Sequence, residues 1–231
     1  MTMENLYKEF CTEGFDENGI LNKFSVHCDD NFNFAYDVID KIAQNEPNRR
    51  AMVWTNDQGD ERIFSFSDMS KASNQVANML KAKGIKKGDK VILVLKRHYQ
   101  FWFSILALHK IGAVTIPATN LLTTKDIVYR TKMADVKAVI CSGTCDIVKY
   151  VDEAEEKCGK YLAKFIVNGH RDGFINFDEE MQNYSDAFER NETNIHDDML
   201  AYFTSGTTGN PKLVMHDYTY PLAHIITAKH W

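Results

Sequence analysis

Residues 91–117 read VILVLKRHYQFWFSILALHKIGAVTIP. Val91-Ile92-Leu93-Val94-Leu95 is apolar without alternation, as expected of a parallel strand covered on both faces, and Val114-Thr115-Ile116-Pro117 is its expected partner. Two parallel strands need a crossover between them. His98 to Lys110 is long enough to be that helix, and Gly112 supplies its C-terminal turn.

The pattern continues on both sides. Downstream, Thr123 and Asp126 have capping-box spacing ahead of a helix through Met133, followed by the strand Ala138-Val139-Ile140. A charged helix over Ile147 to Lys157 and the strand Lys164-Phe165-Ile166-Val167 repeat the unit. Upstream, Ala51 to Trp54 and Arg62 to Phe64 flank the turn Asn56-Asp57-Gln58-Gly59-Asp60 and read as a hairpin. Ser67 is the expected cap of a helix that buries Met69, Ala72, Val76, Met79 and Leu80 and ends at Gly84. Residues 1–49 read as a polar, irregular extension, with a helix near Phe34 to Gln44, wrapping a core that spans residues 50–231. Alternating strands and helices predict an α/β fold with a doubly wound, mostly parallel sheet.

Composition excludes several classes of function. Against 27 Lys and Arg stand 32 Asp and Glu, a net charge of −5, so no basic excess draws nucleic acid or an anionic membrane. The start, MTMENLYKEF, is charged where a signal peptide needs an apolar core, and the greasiest run, Phe101 to Leu108, is too short to span a bilayer. Five cysteines (Cys11, Cys28, Cys141, Cys145, Cys158) lack metal-ligand spacing. They predict free thiols in a reducing, cytoplasmic location and no metal site, which makes the Asn191-Glu192-Thr193 sequon incidental.

The chemistry points to residues 202–212, YFTSGTTGNPK, between the strands expected at 198–203 and 212–216. Gly206 and Gly209 permit the conformations and close approach that let backbone N–H groups converge on an anion. The hydroxyls of Thr204, Ser205, Thr207 and Thr208 add donors, Lys212 adds a compact charge, and Pro211 stiffens the exit. The spacing is not that of a GxxxxGK[ST] loop, which disfavours a P-loop nucleotidase. A polyphosphate is the expected ligand.

The string resembles the phosphate-loop signature of the adenylate-forming (AMP-binding) enzymes, which include acyl-CoA synthetases, luciferases and peptide-synthetase adenylation domains. The likeness extends over most of the chain: Phe32 to Val38, Lys96-Arg97, Trp102, Gly112-Ala113-Val114, Pro117, Thr119, Asp126 to Arg130, and Met215 to Ile225 with Thr227-Ala228-Lys229 are similar to the medium-chain acyl-CoA synthetases. This resemblance implies ATP-dependent activation of a medium-chain carboxylic acid as an acyl-adenylate, followed by transfer to coenzyme A, with Mg²⁺ accompanying ATP. It implies that Thr204, Ser205, Gly206, Thr207, Thr208 and Gly209 hold the nucleotide phosphates and that Lys212 is catalytic. His216 is placed with the nucleotide or acyl cleft, a structural role being the alternative, and Trp231 is assigned to the acid. Superfamily members are much longer, so the chain is expected to be the first part of the large domain and inactive alone. A non-catalytic phosphate- or nucleotide-binding α/β module is the alternative.

The remaining conspicuous residues have simpler readings. Phe101, Trp102 and Phe103 on the crossover helix are expected in the core. His109 and His224, without a ligand partner nearby, are expected at the surface or hydrogen-bonded. Glu153, Glu155 and Glu156 read as a solvated helix face. Leu222, Ile225, Ile226 and Trp231 are expected to be uncovered apolar surface that favours self-association into homo-oligomers or local disorder.

Overall fold

The computed structural model describes residues 3–205 and 210–230; Gly206, Thr207, Thr208, Gly209 and Trp231 lie outside them. The first 49 residues are more ordered than their polarity predicts. A 3-10 helix over Met3–Glu9 leads into an antiparallel hairpin, β1 (Cys11–Phe15) and β2 (Leu21–Val26). Its turn is closed locally by the Asp16 carboxylate, which accepts from the Asn18 and Ile20 amides. A π-helical turn over Ala35–Asp40 then runs into α1 (Lys41–Asn45).

A second hairpin follows, β3 (Arg50–Thr55) with β4 (Glu61–Ser65), and opens directly into α2 (Phe66–Ala82). The cap of α2 is Ser65, which corrects the expectation for Ser67. Ser65 Oγ accepts from the Asp68 amide at 3.1 Å and Asp68 Oδ2 accepts from the Ser65 amide at 2.8 Å. An acidic side chain three residues on is what makes this box reciprocal, and Ser67 has only Ser70 at that position.

The alternating unit then appears as β5 (Lys90–Val94), α3 (Gln100–Ile111), β6 (Val114–Pro117), α4 (Thr124–Ala134), β7 (Val136–Ser142), α5 (Ile147–Cys158) and β8 (Ala163–Val167). Short β9 (Ile175–Asn176) and α6 (Phe177–Met181) precede β10 (Asp198–Thr204), β11 (Lys212–Asp217) and α7 (Tyr220–His230). The strands of the main sheet lie in the order β11-β10-β6-β5-β7-β8-β9, and every neighbouring pair is parallel except β10 with β11.

Two cores flank this sheet, which is why β5 reads as an unbroken apolar run. Val91 and Leu93 face a core with Val76, Leu80, Phe103 and Ala107, whereas Ile92 and Val94 face another with Ile127, Ile147 and Val151. Each fully buried side chain of that strand contributes about 1.5–3 kcal/mol of burial. Gly112 ends α3 at φ 83°, and a Cβ there would meet Lys87 Cγ at 3.0 Å. Thr123 and Asp126 form the expected box at the start of α4.

Polar contacts stitch the N-terminal segment to this body. Lys110, fully buried on α3, gives its ammonium to Asp40 Oδ1 at 2.8 Å and Asn74 Oδ1 at 2.6 Å. Tyr36 donates to the Lys110 carbonyl, and Arg190 holds both Asp37 oxygens. The N-terminal turn also covers α7: Leu6, Tyr7 and Phe10 lie around Pro221, Leu222 and Ile225, and Glu13 pairs with Lys229 and His230. Leu222 is therefore buried and Ile225 and Ile226 are partly covered, against the uncovered surface expected of these three, while Trp231, the fourth residue of that expectation, lies outside the described residues. Glu155 is not simply solvated either. It accepts from the Leu162 amide and, with Asp152, neutralises Lys164, while Glu153 accepts from Thr124 Oγ1.

Candidate functional site

The β10–β11 hairpin carries Thr204 and Lys212, two of the residues expected to hold phosphate. Its register pairs Thr204 with Lys212, Tyr202 with Val214 and Leu200 with His216. Cross-strand partners share a face and alternate residues return to it, so Thr204, Lys212 and His216 project from the same side of the hairpin. Thr204, Ser205 and Lys212 are exposed at its loop end, at the carboxyl end of β10. Lys212 has no ion-pair partner among the described residues, so its charge is available at the mouth of the loop. A lysine spent on a structural ion pair would have argued against an anion site.

On the opposite face the stems are anchored to α4. The Tyr129 hydroxyl donates to the Pro211 carbonyl at 2.9 Å, and the Arg130 guanidinium lies 4.9 Å from the centre of the Phe203 ring. Arg130 is in turn close to Asp126, at 3.8 Å. Sequence reasoning assigned no role to Tyr129 or Arg130; their adjacency on a helix reveals nothing of a contact 82 residues away.

His216 stands in an aromatic ladder. Its ring is 4.2 Å from that of Tyr220 and 5.8 Å from that of Tyr202, and Tyr220 continues the ladder to His224 at 4.6 Å. Burial raises the Tyr202 phenol above its ordinary range. The ladder places His216 on the loop's own face and gives it a packing role there. His224 is exposed and bonds Thr227, as expected of a surface residue.

Beside the ladder lies an apolar cavity of about 790 Å³, bounded by Trp102, Ile105, His109, Met199, Tyr202 and Tyr220 among others. Two expectations are corrected here. Trp102 is 52% exposed and is a wall of this cavity, because α3 turns Phe103 and Ala107 to the sheet and Trp102 away from it. His109 is only 5% exposed, and both its ring nitrogens lack a partner among the described residues, so it is neither a surface nor a satisfied histidine. Among the described residues no group of three or more His, Cys, Asp or Glu side chains is placed to hold a metal ion, and no helix is long and apolar enough to cross a membrane.

Comparison with known proteins agrees with this fold. Residues 39–231 match the family model of the AMP-binding enzymes, and the chain belongs to that family. It is 33% identical over 224 residues to mouse acyl-coenzyme A synthetase ACSM4, mitochondrial, a match covering 94% of this chain and 38% of that protein. With rat acyl-coenzyme A synthetase ACSM5, mitochondrial, identity is 38% over 192 residues, 80% of this chain and 33% of the relative. The fold is similar to part of an anthranilate CoA ligase, AuaEII, solved with anthranoyl-AMP (TM-score 0.74, 21% identity, 86% of this chain and 37% of that one). It is equally similar to part of the Brucella canis acyl-CoA synthetase (TM-score 0.74, 24% identity, 84% and 35%). The chain thus spans 33–38% of the length of these two relatives.

Proposed function

We propose that the chain supplies the phosphate-holding part of an AMP-forming acid–thiol ligase, an acyl-CoA synthetase that acts on a medium-chain carboxylic acid. The observation that carries this reading is the hairpin: Thr204 and Lys212, paired at its loop end, bracket residues 205–211, and Lys212 is a cation without an ion-pair partner among the described residues. Residues 50–231 are then the first part of the AMP-binding domain and residues 1–49 an extension that wraps it.

In the proposed reaction the acid's carboxylate oxygen attacks the α-phosphorus of ATP, and the bond to the β-phosphate bridge breaks, releasing pyrophosphate. The thiol of coenzyme A then displaces AMP from the acyl carbon. Negative charge grows on the departing pyrophosphate in the first half, so fixed donors and a fixed cation there lower the barrier. The hydroxyls of Thr204, Ser205, Thr207 and Thr208 and the N–H groups of Gly206 and Gly209 are assigned to the β- and γ-phosphates, and Lys212 to their charge. His216 is assigned to the adjoining wall, through its stack on Tyr220, and Trp231 to the acid. Mg²⁺ belongs to this proposal as the companion of ATP. Free cysteines throughout agree with a reducing compartment, for which a cytoplasmic location is proposed.

Titration calorimetry with ATP and pyrophosphate tests the site. Saturable binding, weakened about tenfold in Lys212→Ala (about 1.4 kcal/mol), is expected. Equal affinity in the two proteins, with circular dichroism unchanged, removes Lys212 from the site. The chain by itself is expected to form no thioester from ATP, octanoate and coenzyme A, and turnover at a catalytic rate would overturn its reading as one part of the enzyme.

A further inference from the structure

A second polar crevice lies where open α/β sheets take their ligands. The chain visits β5, β6, β7 and β8 in turn, but their spatial order is β6, β5, β7, β8, so the winding reverses at β5. Sheets of this kind bind ligands at that reversal, outside the carboxyl ends of the strands. Here those ends carry Lys96, Arg97 and His98 after β5, Thr144 after β7 and Asn168 after β8. Together with Trp54 near the end of β3 they line a crevice of about 390 Å³, within the range of small-ligand pockets. Two strand spacings, roughly 10 Å, separate the end of β5 from that of β10 and its loop.

Folding alone does not account for the groups gathered there. Lys96 and Arg97 are adjacent and exposed, and neither side chain has an ion-pair partner among the described residues. His98 is fixed through Nε2 by Ser142 Oγ at 3.2 Å, which also bonds Thr144 Oγ1 at 2.8 Å. Trp54 gives its indole N–H to the Arg97 carbonyl at 2.5 Å, which fixes the ring beside the two cations. Asp57, on the β3–β4 turn, faces the same space, so two cations and one carboxylate leave the crevice one positive charge.

We propose that this crevice is a second phosphate site, distinct from the 204–212 loop, and that it takes a nucleoside phosphate. The phosphate lies between Lys96 and Arg97, the base lies against Trp54, and the polar edge of the nucleoside meets Thr144 and Asn168. A point charge with a planar, fork-shaped one suits a phosphate dianion, and an indole face suits any base. The inference stands apart from the proposed activity, because its residues come from other strands.

Calorimetric titration of the 231-residue chain with AMP, coenzyme A and inorganic phosphate tests it, using Lys96→Ala/Arg97→Ala, Trp54→Leu and Lys212→Ala. AMP is expected to bind saturably and about tenfold more weakly in the double variant and in Trp54→Leu than in the parent, a loss larger than any that Lys212→Ala causes. Coenzyme A binding with the same dependence on Lys96 and Arg97 supports the site and identifies the nucleotide end of that molecule as a natural source of the ligand. Four outcomes overturn the proposal: no AMP binding at millimolar concentration, AMP binding indifferent to Lys96 and Arg97, AMP binding lost only with Lys212, or inorganic phosphate binding as tightly as AMP. Circular dichroism and unfolding midpoints of the variants separate lost binding from lost folding.

Discussion

Tyr218, just past the end of β11, donates its phenolic hydrogen to the backbone carbonyl of His109 on α3 at 2.8 Å. The same carbonyl accepts from Asn33 Nδ2 at 2.8 Å, whereas the His109 ring has no partner on either nitrogen among the described residues. Three distant segments thus converge on one peptide oxygen, while the imidazole beside it is carried into the interior as though it were apolar. Tyr218 is itself fully buried, which joins the phosphate-loop hairpin to the crossover helix.

That imidazole makes the protein sensitive to acid. Burial pushes the His109 ring down to about 3 from its ordinary 6.5. Below pH 6.5 the unfolded chain takes up a proton that the folded protein refuses, so stability falls with falling pH by up to about 1.4 kcal/mol per unit until about pH 3. His109→Leu should remove this dependence, and the difference in unfolding free energy between pH 7 and pH 5 should shrink by roughly 2 kcal/mol. Urea titrations at the two pH values measure it; identical pH dependence in both proteins sinks the idea.

The Lys110–Asp40 pair predicts an asymmetry. Lys110 is fully buried and its ammonium is pushed down by desolvation and held up by Asp40, whereas Asp40 keeps some exposure and a second bond, from Ser70. Asp40→Asn leaves a buried cation without its counter-charge and should cost about 3 kcal/mol. Lys110→Met leaves a carboxylate that water can still reach and should cost less. Chemical denaturation of both variants checks the order, and a larger loss for Lys110→Met contradicts it.

Gly143, between β7 and α5, should not tolerate a side chain. A Cβ there would lie 2.8 Å from the Asn168 carbonyl oxygen and 3.0 Å from Gly169 Cα, both backbone atoms. Gly143→Ala must therefore separate the exits of β7 and β8, also stretching the 2.7 Å bond from the Gly143 amide to the Val167 carbonyl. A loss of roughly 1–3 kcal/mol is expected in thermal unfolding, and an unchanged midpoint would show that the two exits can part freely.

Tyr129 is expected to act on the phosphate loop from a distance. Tyr129→Phe removes only the hydroxyl that holds the Pro211 carbonyl, so its stability cost should be about 0.5–1.5 kcal/mol. Pyrophosphate affinity should fall with it, because the exit of the loop loses its anchor. Loss of stability with unaltered affinity would confine Tyr129 to packing.

Much of the sheet is legible in residues 91–167, because each signal there is local. Unbroken apolar runs at β5 and β8, the glycine after α3 and the Thr123–Asp126 box all act within a few residues of themselves. Where two local signals compete, the reading slips: Ser65 and Ser67 are equally good serines, and only the return bond from Asp68 distinguishes them. The histidines show a different limit. Nothing near His109 in sequence says that its helix face will be covered by Tyr218 and Asn33, more than seventy residues away on either side.

From the sequence alone came the alternation of strands and helices over residues 91–167 and the expectation of an anion site at residues 202–212, since hydrophobic period, caps and donor chemistry are properties of short stretches. Tertiary structure alone decided which residues meet: Thr204 with Lys212 across an antiparallel pair, Tyr129 beneath Pro211, and the N-terminal hairpin over α7. It also decided that β5 lies between β6 and β7, which gathers Lys96, His98, Thr144 and Asn168 at one end of the sheet. Such meetings depend on strand order and on how the connections cross the two faces, and these are settled by the shared burial of many distant apolar side chains, which no short stretch of the chain encodes.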